Sequence, residues 1–222
     1  MRLLGLIGRK SCKGFSLAEI ILVIIILGVV ACESIPVILN GYTKQTWTVA
    51  YKDTFSFVSQ ATKLLKLNNG DTLAGLWSND QGMYQAYLPY FKVAKYCNNQ
   101  NPYGSCFGSS YNCLDGTMPF ADIATLYSIM LTNGVSLGFD IDGNGVGITA
   151  MYIDINGKKG PNVEGKDFHW LSISSTAADP VKPWNSTQAE AVITQNCPST
   201  LNSDSGNTCG VRILRGDYGE DY

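Results

Sequence analysis

The chain has 222 residues, of which 45% are apolar and only 15% are charged. This composition fits one domain of ordinary size plus a strongly hydrophobic segment, because a lone soluble domain is usually more charged. The first fourteen residues carry four basic side chains and no acid, which leaves twelve basic and eighteen acidic residues, a net charge of −6, for the remainder. That balance argues against a nucleic-acid-binding protein held by phosphate contacts.

The basic segment leads into Gly14, Phe15 and Glu19, and then into residues 20–32, which contain no polar side chain. A basic region ahead of an apolar one is typical of an export signal. An ordinary secretory signal leaves Glu19 without a role, although an acidic residue costs about 2.5–3.5 kcal/mol at the centre of a bilayer. A lipoprotein signal remains an alternative, because Val29, Val30 and Ala31 precede Cys32, which would become the lipidated first residue of a membrane-anchored, ligand-binding protein.

Gly14, Phe15 and Glu19, placed between a basic leader and an apolar helix, resemble the processing signal of type IV pilins and type II secretion pseudopilins. The resemblance implies that a prepilin peptidase cleaves after Gly14 and methylates the new amino group of Phe15. It also implies that Glu19 neutralises the Phe15 amine of a neighbouring subunit, since a buried charge without a partner costs several kcal/mol. Pro36 fits the same pattern, at the position where many of these proteins carry a helix-kinking proline.

The resemblance implies four regions. These are a leader (1–14), a hydrophobic transmembrane and assembly helix (15–39), the amphipathic half of that helix (40–68) and a globular periplasmic or extracellular head (69–222). We expect a structural subunit of a pilus, secretion or DNA-uptake filament and not an enzyme. Its expected location is the inner membrane, as a single-pass protein, and then a filament in the periplasm or at the cell surface.

The partners that the resemblance implies are identical or related pilin subunits, a prepilin peptidase and the inner-membrane assembly machinery. Membrane lipid would surround the hydrophobic helix before assembly. Nucleic acid is an expected partner only if the filament takes up DNA.

A long helix is predicted from about residue 17 to residue 67. Its second half has an apolar stripe whose members recur every three or four residues, the spacing of one helical face: Trp47, Tyr51, Phe55, Val58, Ala61 and Leu65. Gly70 after two asparagines supplies a C-terminal stop. Pro36 would kink this helix without ending it.

The head is predicted to be an α+β domain in which the helix packs on an antiparallel sheet. A short helix is expected near 82–92 and another near 187–196. Strands are expected at 126–132, 135–141, 148–155 and 168–173, and Asn133 with Gly134 predicts a hairpin turn between the first two. The stretch from Tyr152 to Phe168 also resembles a segment found in many prepilin-type proteins.

Five cysteines lie beyond the N-terminal segment, at positions without the paired spacing and histidine partners of a zinc site: Cys97, Cys106, Cys113, Cys197 and Cys209. An export signal ahead of them indicates an oxidising compartment, so we expect two disulfides and one remaining thiol. The pairing stays open. The loop bounded by Cys197 and Cys209 loosely resembles the disulfide-closed C-terminal loop of type IV pilins.

The candidate cofactor is calcium. Asp140, Asp142 and Asn144 precede Gly145 and match the first half of a calcium-binding loop, but Met151 stands where the bidentate glutamate would be. An ordinary turn is the alternative. Asp154, Asn156 and Asp167 form a second candidate for calcium. His169 is the only histidine, and no motif for nucleophilic catalysis, a P-loop or a dinucleotide-binding loop is present.

Overall fold

A computed structural model describes residues 14–97, 103–117, 126–141, 148–197 and 206–218, and within them the side chains of 33–44 lie outside the description. The chain divides into two compact units, Met1–Thr43 and Lys44–Tyr222. The long first helix, α1, covers Leu17–Asn68 and so passes from the first unit into the second. It ends as the sequence predicts, with Gly70 at φ +71° just beyond the last turn.

The described residues of the second unit form an antiparallel sheet of six strands in which each strand pairs with the next along the chain. The strands are β1 (Val93–Tyr96), β2 (Tyr127–Leu131), β3 (Ser136–Asp140), β4 (Ile148–Asp154), β5 (Phe168–Ser174) and β6 (Val181–Pro183). The shorter helices are α2 (Asp80–Tyr87), α3 (Glu190–Asn196) and α4 (Cys209–Arg215), and a 3-10 turn, Leu88–Tyr90, follows α2.

Both faces of the sheet are covered by other parts of the chain. Because successive side chains along a strand point to opposite sides, one strand contributes to a core on each face. On β4, Met151 and Ile153 join the main core with the second half of α1, which contributes Tyr51 and Val58. Ala150 and Tyr152 join a smaller core on the other face, beneath the segment that contains Phe107 and Tyr111. The alternation fixes which residues of the sheet can reach each surface.

The α+β prediction agrees with this sheet, but the predicted membrane-spanning first half of the helix is wrong. Within the described ranges, no helix is both long and apolar enough to cross a bilayer. The physical reason is length: the apolar run with described side chains, residues 20–32, has thirteen residues, against the roughly 20 that a span requires. This finding also contradicts the predicted single-pass location in the inner membrane.

Candidate functional site: the start of the first helix

The predicted cleavage position lies just outside helix α1. Residues 14–16 are not helical, and the first helical residue is Leu17. The side chain of Phe15 is 82% exposed, and no described atom lies within 4 Å of the position that a Cβ would take on Gly14. The peptide bond between Gly14 and Phe15 therefore joins two exposed residues in a non-helical segment.

Ser16 and Glu19 cap the first turn of α1. The backbone N–H and the hydroxyl of Ser16 each donate to Oε2 of Glu19, both at 2.8 Å. In return, the N–H of Glu19 donates to the Ser16 hydroxyl at 3.3 Å. This reciprocal pattern is a capping box, which satisfies N–H groups that the first turn cannot pair internally.

The same contacts set the charge of Glu19. The hydrogen bond from the Ser16 N–H, and next that from its hydroxyl, hold the pKa of the Glu19 carboxyl below its usual value. The carboxylate is therefore ionised at neutral pH, at the end of the helix that carries partial positive charge. The prediction of an assembly role did not include this local role, although a serine three residues before a glutamate and ahead of an apolar run is a recognisable signal.

The helix that follows exposes apolar side chains in every direction. From residue 20 to residue 30, each large aliphatic side chain is between 44% and 62% exposed: Ile20, Ile21, Leu22, Val23, Ile24, Ile25, Ile26, Leu27, Val29 and Val30. We call these ten residues the apolar collar. Contiguous exposed apolar surface of this kind marks a site of interaction.

Of the two other predicted residues of this region, the structure describes the side chain of Cys32 but not that of Pro36. Cys32, the first residue under the lipoprotein alternative, is exposed, helical and not in a disulfide. Pro36 falls in a stretch that is helical, but its side chain and the predicted kink lie outside the described features.

The structure confirms two disulfides and assigns their partners. Cys97 pairs with Cys106, and Cys197 pairs with Cys209. Cys113 keeps its thiol, which is buried and donates to the Glu164 carboxylate at 3.5 Å. Burial, and next the charge of Glu164, raises the pKa of the Cys113 thiol to about 12. The head cysteine that is left outside the two disulfides is therefore a buried thiol that stays protonated at neutral pH.

The calcium-loop candidate is described at one residue only. Asp140 ends β3, and its Oδ2 accepts a hydrogen bond from the Tyr152 hydroxyl at 3.0 Å. Asp142 and Asn144 lie outside the described residues. In the described part of the chain, no three acidic, histidine or cysteine side chains are grouped as a metal site requires.

The residues of the second calcium candidate, Asp154, Asn156 and Asp167, do lie close together, in the connection between β4 and β5. Asp167 accepts hydrogen bonds from the N–H groups of Val163 and Asn162, at 2.7 and 2.8 Å, and from the Asn156 amide at 3.1 Å. Asp154 accepts from the Asn156 N–H at 3.1 Å and makes a short hydrogen bond with the Tyr111 hydroxyl. These oxygens organise the connection itself.

Both carboxyl groups are fully buried. Burial is the main reason why the pKa of Asp154 rises to about 8, and it also raises the pKa of Asp167. Tyr111, which the sequence did not single out, links Asp154 to the segment that covers this face of the sheet.

His169 lies inside the head. It is 3% exposed, its Nε2 lies 3.0 Å from the Lys166 carbonyl, and its ring centre is 4.3 Å from that of Tyr51 on α1. Burial lowers the pKa of His169 to about 4, so the ring is neutral at physiological pH. Its described contacts are those of a core residue that helps to seat α1 on the sheet.

No protein-family model, curated protein or solved structure matches this chain. The resemblance to type IV pilins and pseudopilins therefore rests on the residues at the start of the first helix, and the function is argued from them.

Proposed function

We propose that this chain is a structural subunit of a type IV pilin-like or pseudopilin-like filament that serves a pilus, secretion or DNA uptake. It would be cleaved after Gly14 by a prepilin peptidase and would assemble through the first part of α1. The observation that carries the proposal is the arrangement at one helix end: an exposed Gly14–Phe15 bond, an ionised Glu19 one turn further and then the apolar collar.

The apolar collar supplies the driving force for assembly. Full burial of a leucine or isoleucine side chain contributes about 1.5–3 kcal/mol, and roughly half of each collar side chain remains open to solvent. Ten such residues could therefore offset the entropy lost when subunits associate. Because the collar surrounds the helix, several neighbouring copies or related subunits can pack on it at once.

Glu19 would set the register of that packing. Cleavage would leave an ammonium group on Phe15, two positions before the first helical residue. Inside a bundle of apolar helices this charge needs a partner, and an ionised carboxylate at the same depth provides one. A shift of one helix along another would separate the two charges, so the pair favours a single arrangement.

The test is the N-terminus of the mature protein, measured by intact-mass and peptide mass spectrometry on chain purified from its native host. We expect a chain that begins at Phe15 and carries one methyl group on its amine. A chain that retains the first fourteen residues would contradict the proposal. A chain that begins at a lipid-modified Cys32 would contradict it in favour of the lipoprotein.

A further inference from the structure

The outer end of the sheet, at β5 and β6, holds a cavity of about 370 Å³. It lies on the face that carries Ser172 and Ser174, because the alternate residues Leu171 and Ile173 pack with α1 in the main core. Two cross-strand neighbours line it: Ser172 on β5 lies opposite Lys182 on β6. Trp184 follows β6, and its backbone N–H donates to the Trp170 backbone carbonyl at 3.0 Å. The other lining residues are Ser174, Ala177, Pro180, Asn185, Ser186 and Thr187.

A row of aromatic rings fixes the Trp184 indole. Its ring centre lies 5.4 Å from that of Trp170, which in turn lies 5.0 Å from that of Tyr152 in the smaller core. Trp184 is only partly buried. It therefore ends the row at the cavity, as an aromatic surface held in place from within the protein.

The polar rim is held by turns of the backbone. The N–H of Ser186 donates to the Pro183 carbonyl at 3.2 Å, and the N–H of Gln188 donates to the Asn185 carbonyl at 3.0 Å. Asn185 adopts a positive φ of 57° within this turn. On the opposite side, the Ser174 hydroxyl accepts from the Ala177 N–H at 3.2 Å.

The chemistry of the lining points to a sugar. Four hydroxyl groups and one amide can donate to and accept from the hydroxyl groups of a ligand, and an indole can pack against a ring that is apolar on one side. Among the described residues that line the cavity, Lys182 is the only charged one. A cation with no carboxylate among these lining residues favours a ligand with a negative charge.

We propose that this cavity, which we call the Trp184 cavity, binds an acidic saccharide. A hexuronate ring would pack on Trp184, its carboxylate would pair with Lys182, and its hydroxyl groups would contact the serine, threonine and asparagine side chains. A volume of about 370 Å³ lies at the lower end of the range for small-molecule sites and fits one or two sugar rings. This activity goes beyond the structural role and does not depend on it.

A second cavity on the other side of β6 provides an internal comparison. Lys182 and Pro180 line both cavities, and the other charged residues of the second cavity are Lys63 and Asp179, which form an ion pair at 3.5 Å. Because Lys63 already has a carboxylate partner, it offers an anionic ligand less than Lys182 does.

The test uses the full chain and two probes, digalacturonate and its neutral counterpart digalactose. Each is titrated while the indole N–H signals of the four tryptophans are followed by NMR. We expect digalacturonate to shift the Trp184 signal while the Trp47 and Trp77 signals stay in place. The proposal is overturned if digalacturonate leaves Trp184 unmoved, or if digalactose binds as tightly.

Variants separate the charge from the fold. Lys182→Gln changes an exposed side chain and should weaken digalacturonate binding at least about fivefold. Lys63→Gln, the matched control in the second cavity, should leave binding within about twofold. Trp184→Phe should weaken binding of the acidic sugar while the melting temperature shows that the head is folded. Equal losses for Lys182→Gln and Lys63→Gln would overturn the assignment of Lys182.

Discussion

Glu19 has a contact within its own chain and, in the proposed filament, a second contact with an amine. Replacing it by alanine removes both the charge and the capping hydrogen bonds to Ser16, so that variant alone cannot separate the two roles. Glutamine separates them, because it can still accept from the Ser16 N–H in a capping box but carries no charge.

We therefore expect Glu19→Gln to keep the start of α1 intact and to reduce filament assembly about as much as Glu19→Ala does. The physical reason is that both variants leave the Phe15 ammonium without a countercharge. The measurement is the amount of sedimentable filament per cell, with total subunit as the reference. Normal assembly of Glu19→Gln, with a defect only in Glu19→Ala, would assign Glu19 to capping and contradict charge pairing.

Tyr51 shows how closely the second half of α1 fits the head. Its ring is fully buried, and no described residue forms a hydrogen bond with its hydroxyl. A Cβ on Gly210 of α4 would lie 2.3 Å from that hydroxyl. Gly210→Ala should therefore lower the free energy of unfolding by about 1–3 kcal/mol, as measured by urea denaturation.

The comparison variant is Tyr51→Phe. It removes a hydroxyl that loses its hydrogen bonds to water on folding and forms none with a described residue. We expect its stability to equal or exceed that of the natural chain. In the Tyr51→Phe background, Gly210→Ala should cost less, because the atom that it meets first is gone. An unchanged cost would show that the tight contact is not with Tyr51.

The connection between β4 and β5 gives the head a pH dependence. In the unfolded chain Asp154 titrates near 3.8, whereas burial raises its pKa in the folded head to about 8. The folded state therefore binds more protons between these values, and stability falls as pH rises through them. Asp167, whose pKa is also raised by burial, acts in the same direction.

His169 has the opposite effect. Its pKa falls from 6.5 to about 4 on folding, so stability is lost as pH falls from 6.5 towards 4. From pH 4 to 6.5 the slopes of His169 and Asp154 oppose each other. Above pH 6.5 only the carboxyl effect remains, at about 1.4 kcal/mol per pH unit for one proton.

We therefore expect the free energy of unfolding to fall by about 2 kcal/mol between pH 6.5 and 8, as measured by urea denaturation at a series of pH values. Asp154→Asn should flatten this decline. Its amide resembles the protonated acid, since it can donate to the Tyr111 oxygen and accept from the Asn156 N–H. An equally steep decline in Asp154→Asn would show that another group is responsible.

Most elements were predictable from the sequence, including the short helices α2 and α3, but the edge strands and helix α4 were not. Helix α1 ends at Asn68, one residue beyond the predicted end, because the stripe from Trp47 to Leu65 is long and regular. The four central strands lie at the positions predicted for them, on either side of the Asn133–Gly134 turn and beyond it. The edge strands β1 and β6 have only four and three residues, which is too few for a sequence pattern. Each is a strand because it pairs with a neighbour in the sheet.

The candidate site was predictable in part for the same reason. The Gly14, Phe15 and Glu19 signal is local and readable, whereas the pairs Cys97–Cys106 and Cys197–Cys209 depend on which loops the fold brings together. Tyr111 and Asp154, which are joined by a hydrogen bond, are forty-three residues apart in the sequence, so no local sequence pattern predicts their contact. The membrane-spanning helix was an implication of the resemblance, and the described apolar run is too short for it.

For the molecule as a whole, the two units have separate tasks in the proposed filament. All described members of the main core lie at or after Trp47, so the second unit, Lys44–Tyr222, contains the residues that hold it together. The apolar collar belongs entirely to the first unit. Association and folding should therefore be separable by cutting the chain between them.

A chain that begins at Lys44 should fold and remain monomeric at concentrations where the full chain self-associates. The reason is that truncation removes the collar and leaves both cores and both disulfides in place. Analytical ultracentrifugation measures the association, and circular dichroism confirms the fold.

The matched control is the full chain with Ile21→Ser and Ile25→Ser combined. Both side chains are at least 50% exposed, so the double variant should lose association at full length. Self-association of the truncated chain as strong as that of the full chain would place the contact surface on the head and contradict assembly through the collar.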